Sequence, residues 1–202
     1  MRLIYLVRHG EIENENNRRR YVGQLDLPLS KLGVSQADSL GQRLQKEEIA
    51  GIFCSDLIRS IKTADIIAQY MGLKPQILKE LREINLGKWE GLYFDEVRRN
   101  TPEEFEKRGR CLEDYRHPGG ETFREFSIRV NNIFKQILLN SSRNIIIVSH
   151  AGVNRMILCN ILGITVNNQF KLKQDYGCLN IIRATKKGFL VTMLNNSMLN
   201  NS

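Results

Sequence analysis

Two of the three histidines stand in matching surroundings. His9 follows the apolar run Leu3-Ile4-Tyr5-Leu6-Val7 and opens onto Gly10. His150 follows Ile145-Ile146-Ile147-Val148-Ser149 and opens onto Ala151 and Gly152. A neutral imidazole can serve as a nucleophile or base near pH 7, because its reference pKa is about 6.5. Arg8 directly precedes His9, and Arg59 lies in Ser55-Asp56-Leu57-Ile58-Arg59-Ser60, where a helix is predicted to begin. The planar fork of arginine holds phosphate oxygens in pairs, and helix N-termini favour anions. Two histidines with two arginines therefore suggest a phosphate site. His117, beside Pro118 in a polar stretch, reads as an ordinary satisfied residue. Cys54, Cys111, Cys159 and Cys178 form no Cys-x-x-Cys pair and read as free thiols. No metal site and no cofactor is expected.

For these residues to meet, the strands before the two histidines must run side by side. In open α/β sheets ligands bind beyond the carboxyl ends of the strands, and two adjacent parallel strands would carry both imidazoles to one edge. Both apolar runs are long enough for buried strands, and Ile52-Phe53-Cys54 is a shorter candidate. Helical spacing follows Ser30 at Ala37, Leu40 and Leu44, and follows Asp56 at Leu57, Ile61, Ala64 and Ala68. Thr101-Pro102-Glu103-Glu104 predicts a helix start with a threonine cap, proline at the first position and a capping-box glutamate. Thr122 and Glu125 predict a second capping box, heading a buried stripe of Phe123, Phe126, Val130, Ile133 and Ile137. The alternation implies a layered α/β fold. Residues 87–120 are polar and irregular apart from their helix, which predicts an excursion over one side of the sheet. The Asn/Ser-rich residues 195–202 predict a frayed tail, leaving a single domain over 1–194.

The chain has 202 residues, of which 42% are hydrophobic and 26% charged. These values suit one ordinary globule and argue against global disorder, collagen or a coiled coil. No apolar run approaches the ~20 residues of a membrane span. The first run stops at Arg8-His9, too soon for a signal peptide, so a cytoplasmic location is expected. The net charge of +8 suits an anionic partner. Basic residues are mostly scattered, apart from Arg18-Arg19-Arg20 and Arg98-Arg99, and neither cluster is interleaved with aromatics. A small phosphorylated metabolite is therefore expected rather than nucleic acid or a membrane. A basic nucleic-acid-binding module is the competing reading from a different class.

Leu6-Val7-Arg8-His9-Gly10-Glu11 resembles the signature of the histidine phosphatase superfamily, the phosphoglycerate-mutase-like enzymes. The resemblance continues in order through Asp26-Leu27-Pro28-Leu29-Ser30, Ser55-Asp56-Leu57-Ile58-Arg59-Ser60, Leu81-Arg82-Glu83, Gly87-Lys88-Trp89-Glu90-Gly91, Pro118-Gly119-Gly120-Glu121 and Ser149-His150-Ala151-Gly152. It implies a three-layer sandwich with a mostly parallel central sheet and helices on both faces. It also implies that His9 takes the phosphoryl group, that Arg8, Arg59 and His150 hold it, and that Glu83 supplies a proton. Many members carry Trp-Asn soon after the first motif. Here Ile12-Glu13-Asn14-Glu15-Asn16-Asn17 departs from that pattern, and Asn16 is the expected phosphate contact, with Asn14 as the alternative. Gly23, Gln24 and Ala151 are further expected substrate contacts. The chain looks most like the small phosphatases acting on α-ribazole 5′-phosphate in cobalamin synthesis. A broad-specificity phosphatase and a phosphoglycerate mutase are the alternatives. A homodimer is one expected assembly.

Overall fold

The computed structural model describes residues 1–14 and 18–197. Six strands form one sheet in the order β3-β2-β4-β1-β5-β6, comprising β1 (Arg2–Arg8), β2 (Ile49–Cys54), β3 (Gln76–Ile77), β4 (Asn144–Ser149), β5 (Leu179–Thr185) and β6 (Gly188–Asn196). The first four in that order run parallel, while β5 and β6 are antiparallel additions beside β1. The helices are α1 (Lys31–Leu44), α2 (Ile58–Gln69), α3 (Phe94–Asn100), α4 (Pro102–Arg110), α5 (Phe123–Leu139) and α6 (Ala151–Leu162).

The strand period of two divides the core into two layers. Ile4, Leu6, Ile145 and Ile147 face one side and pack with Phe126, Val130 and Ile133 of α5 and Met156 and Ile157 of α6. Tyr5, Val7, Ile146 and Val148 face the other side and pack with Leu40 and Leu44 of α1 and Ala64 and Ile67 of α2. Each fully buried Leu or Ile contributes about 1.5–3 kcal/mol. The doubly covered β1 and β4 are therefore the rigid floor from which the two histidines project.

Helix starts are fixed locally. The Ser30 hydroxyl accepts from Gly33 N, and Thr122 and Glu125 form the expected reciprocal box at α5. Asp26 Oδ1 accepts the Ile58 N–H at 2.8 Å, serving α2 from a distant loop. Thr101 departs from expectation. It closes α3 and opens α4, and its hydroxyl donates back to Val97 O instead of capping the helix ahead. The backbone after His9 lies directly on the first turn of α1. A Cβ on Gly10 would fall 2.2 Å from Gly33 O, and one on Gly33 would fall 2.1 Å from Glu11 O.

The stretch 87–120 contains α3 and α4 and is anchored by buried Trp89, Val97, Leu112 and Tyr115. The expected frayed tail is corrected at its start. β6 runs to Asn196, and Asn195 exchanges hydrogen bonds with Asp175 and donates from its backbone to Asn180 Oδ1. Residues 198–202 lie outside the described residues. No helix among the described residues is long and apolar enough to cross a membrane.

Candidate active site

Parallel pairing sets Arg8 opposite Ser149, so the next residue on each strand is a histidine. The His9 N–H donates to Ser149 O at 2.9 Å, and the two imidazole centroids are 5.0 Å apart. His9 Nδ1 lies 2.7 Å from Gly10 O. A carbonyl only accepts, so Nδ1 carries the proton and Nε2 keeps its lone pair. His150 Nε2 lies 2.7 Å from the Ser55 hydroxyl, which itself takes the Leu57 N–H. When the hydroxyl donates to Nε2 the ring proton sits on His150 Nδ1, a buried atom with no partner among the described residues.

The cations are positioned without being neutralised. Arg59, 1% exposed, donates to Leu25 O and Gly23 O, each at 2.7 Å. Arg8 donates to Gln174 O at 2.7 Å and stacks 3.6 Å over the Tyr176 ring. Arg155 donates to Leu172 O at 2.9 Å. Carbonyls fix these guanidinium groups, none of which forms an ion pair among the described residues, although Glu83 acts on Arg59 and Arg155 through space. A buried charge without a counter-ion is costly, and an anionic ligand relieves that cost. The buried Nε atoms of Arg8 and Arg59 likewise have no partner among the described residues. Burial, then Arg59 and Arg8, hold His9 well below the usual imidazole range. Burial, Arg59 and His9 do the same to His150. Both rings are therefore neutral near pH 7.

Glu83 faces the same space from the loop after the short 3₁₀ turn Lys79–Leu81. Its carboxylate accepts from Gly152 N and Ile84 N, each at 3.0 Å. A Cβ at residue 152 would fall 2.1 Å from Glu83 Oε1, so this approach requires glycine. Arg8, His9, Gly23, Arg59, Glu83 and Ala151 all line one cavity of about 670 Å³. His150, fully buried, is not among the residues lining it, and neither is Gln24. The Gln24 amide donates to Glu83 O at 3.0 Å and its N–H to Glu90 Oε1, so it holds the loop that carries Glu83. Asn16 lies outside the described residues. Asn14 is exposed, donates to Arg18 O and does not line this cavity. Arg155, Tyr176 and Ser55 were not singled out by sequence reasoning. Ser55 and Arg155 carry a signal, since each lies close to a strand end or to His150. Among the described residues no group of three or more His, Cys, Asp or Glu is placed to hold a metal ion.

The third histidine is also buried. His117 sits in a cage of Trp89, Tyr115 and Phe123, where burial pushes its pKa down to about 4. All three histidines thus stay neutral in the folded chain at pH values where the unfolded chain protonates them at about 6.5. The unfolded state then binds more protons, so stability falls as pH drops below 6.5, by up to about 1.4 kcal/mol per pH unit for each histidine. Thermal melts between pH 7 and 4 are expected to show this fall, and His117→Phe is expected to flatten it. An unchanged slope in that variant would contradict the burial argument.

A lone-pair nitrogen, three guanidinium groups with no ion pair among the described residues and a carboxylate gather at the strand ends of an α/β sandwich. The chain belongs to the histidine phosphatase superfamily (branch 1), whose profile matches residues 4–197. It is 30% identical over 196 residues to the adenosylcobalamin/α-ribazole phosphatase of Escherichia coli (strain K12), covering 95% of each chain. It is 35% identical over 174 residues to "Probable phosphoglycerate mutase GpmB" of Yersinia pestis (strain Pestoides F), covering 84% of this chain and 79% of that one. The crystal structure of the α-ribazole phosphatase from Shigella flexneri superposes with a TM-score of 0.88 at 27% identity, covering 96% of each chain.

Proposed function

We propose that the protein is a phosphomonoester hydrolase that forms a phosphohistidine on His9, with α-ribazole 5′-phosphate as its substrate. The observation that carries the reading is His9 Nε2, freed by the Gly10 carbonyl and set in a cavity with Arg8 and Arg59, which form no ion pair among the described residues. Arg8, Arg59 and His150 Nδ1–H receive the three phosphoryl oxygens. Nε2 attacks phosphorus, the bond to the alcohol oxygen breaks, and the Glu83 carboxyl gives its proton to the departing alkoxide. Water then attacks phosphorus, returns a proton to Glu83, and inorganic phosphate leaves with His9 neutral again. The rate enhancement is positioning together with electrostatic stabilisation of the phosphoryl oxygens.

Beyond the phosphoryl end the cavity is walled by Tyr21, Leu86, Phe94, Phe123 and Phe170. Arg19, Arg20 and Arg108 share this wall, and its aromatic part suits a flat heteroaromatic leaving group, which supports the α-ribazole reading. A cytoplasmic location belongs to the same proposal. Nucleic acid does not, since Arg8, Arg59 and Arg155 converge on one cavity.

The test is release of phosphate from α-ribazole 5′-phosphate, with phosphoryl transfer between phosphoglycerates assayed beside it. Hydrolysis is expected to dominate, and acid quenching during turnover is expected to trap an acid-labile, base-stable label on the protein. Transfer outpacing release would make the enzyme a mutase. Absence of the label on a turning-over enzyme would remove the phosphohistidine.

A further inference from the structure

The buried polar side-chain atoms that lack a partner are not scattered through the molecule. Apart from Asn131, every residue that carries such an atom among the described residues lines the cavity or, as His150 does, packs against a ring that lines it. The free atoms of Arg8, Arg59 and His150 belong to the phosphoryl end. Arg20 has the Tyr93 hydroxyl at 3.0 Å for one terminal nitrogen. The Gln169 amide and the Tyr21 hydroxyl, farther along the wall, have nothing.

Gln169 is the stronger case. It is fully buried, and neither its amide oxygen nor its amide nitrogen has a partner among the described residues. It lines the cavity all the same, as Arg59 does at nearly the same burial. It sits in the 3₁₀ turn Val166–Lys171, which is held without its help. Asn167 Oδ1 accepts the Glu113 N–H at 3.2 Å, and Asn168 donates to the Thr165 hydroxyl at 3.0 Å. The backbone carbonyl of Gln169 takes the Leu172 N–H at 3.0 Å, and Leu172 O in turn takes Arg155. Burying an amide with both ends unmet is costly, and native chains rarely keep one unless a water or a ligand meets it. Phe170, the next residue, lines the same cavity and leaves 52% of itself exposed, with its ring 6.2 Å from Phe123. One turn thus offers the cavity an apolar ring and an unmet amide side by side.

We propose that Gln169 is a specificity residue that hydrogen-bonds the sugar hydroxyls of the leaving alcohol. The proposal rests on the phosphomonoesterase reading and deepens it. A primary amide has an acceptor oxygen and a donor nitrogen, so only a ligand that both gives and accepts meets both ends. The base of α-ribazole has a ring nitrogen that accepts and no N–H to give. Its ribose 2′ and 3′ hydroxyls do both. One donates to Gln169 Oε1 while its neighbour accepts from Nε2, and the base lies against Phe170 and Phe123. A leaving group without these hydroxyls leaves the amide unmet, so the site selects against it. Gln169 binds the leaving group and takes no part in the phosphoryl step.

The test uses two pairs of 5′-phosphates that differ only in the sugar. α-Ribazole 5′-phosphate is compared with its 2′,3′-dideoxy analogue, and adenosine 5′-monophosphate with 2′,3′-dideoxyadenosine 5′-monophosphate. Nitrophenyl phosphate, which has no sugar, is the control. In the wild type the hydroxylated member of at least one pair is expected to exceed its partner in kcat/KM by about tenfold or more. Gln169→Met keeps the length of the side chain and removes both polar atoms. It is expected to bring that ratio within about twofold of unity and to change nitrophenyl phosphate by less than about twofold. Because it removes two unmet groups, its Tm without ligand is expected to hold or rise. A fall in Tm with equal losses on every ester would make the amide a structural group and overturn the proposal. A sugar preference that survives in Gln169→Met would overturn it too, and no preference in the wild type would do so without any variant. The second pair separates this proposal from the substrate reading. If only the adenosine pair is hydrolysed, with a preference that depends on Gln169, α-ribazole phosphate fails as substrate and Gln169 stands. If no sugar ester is hydrolysed, calorimetry of both pairs on His9→Ala, with and without Gln169→Met, decides. A preference lost with Gln169 upholds the contact, and its absence ends it.

Discussion

Replacing His9 by alanine is expected to reduce kcat for phosphate release by about four orders of magnitude or more, the scale on which enzymes lose a covalent nucleophile. The variant is expected to remain folded. The ring is buried, but its backbone hydrogen bond to Ser149 O and the two core layers beneath β1 do not depend on the side chain. Arg8, Arg59 and His150 also remain, so inorganic phosphate is expected to bind the variant with affinity close to that of the wild type. Circular dichroism, phosphate release and calorimetry together make the check. Substantial turnover in a folded variant would remove His9 from the nucleophile role, whereas loss of phosphate binding would mean that the ring helps to build the anion site.

Glu83→Gln is expected to divide substrates by leaving group. An alkyl phosphate leaves as a strongly basic alkoxide and is expected to slow by about 10²–10⁴-fold, the range of general acid catalysis. A nitrophenyl phosphate leaves as a weakly basic phenolate and needs little protonation, so its loss is expected to stay below about tenfold. The carboxylate now accepts from both Gly152 N and Ile84 N, and glutamine can serve only one of these with its oxygen. A modest fall in Tm is therefore expected alongside the kinetic effect. Equal losses on both substrate types would indicate that Glu83 shapes the pocket instead of moving a proton.

The parts of this molecule that were legible in its sequence are those written as local pattern. The runs Leu3–Val7 and Ile145–Val148 are uninterrupted because both faces of β1 and β4 are covered, and they place His9 and His150 at equivalent ends. The stripe from Phe123 to Ile137 names the buried face of α5 and its capping box names the start. β5 was not read because Asn180 and Arg183 interrupt its apolar residues, and Asn180 is a buried polar group satisfied by Leu6 O and Gln174. β6 was not read because it is an edge strand whose alternation is loose and whose end merges with Asn195 and Asn196. Thr101 shows the limit of a capping rule, since its hydroxyl had two helices to choose between. Within the site, Glu83 came from family resemblance alone. No local pattern marks a glutamate that matters because a glycine far along the chain leaves room for it.

The hydrogen bond from His9 to Ser149 ties the first strand to the fourth across most of the chain. Loop closure over such a span costs little more at equilibrium than closure over half of it, about 0.6 kcal/mol per doubling. Its burden falls on time, because non-local strand pairing is the slow part of folding. Helices α1 and α5 can gather their local contacts before β1 and β4 meet, yet no histidine pair exists until they do. Regain of activity after dilution from denaturant is therefore expected to time the closing of the central sheet and to lag behind the recovery of helical signal. A fragment ending before β4 can hold Arg8, His9, Arg59 and Glu83 and still lack the partner strand that sets them.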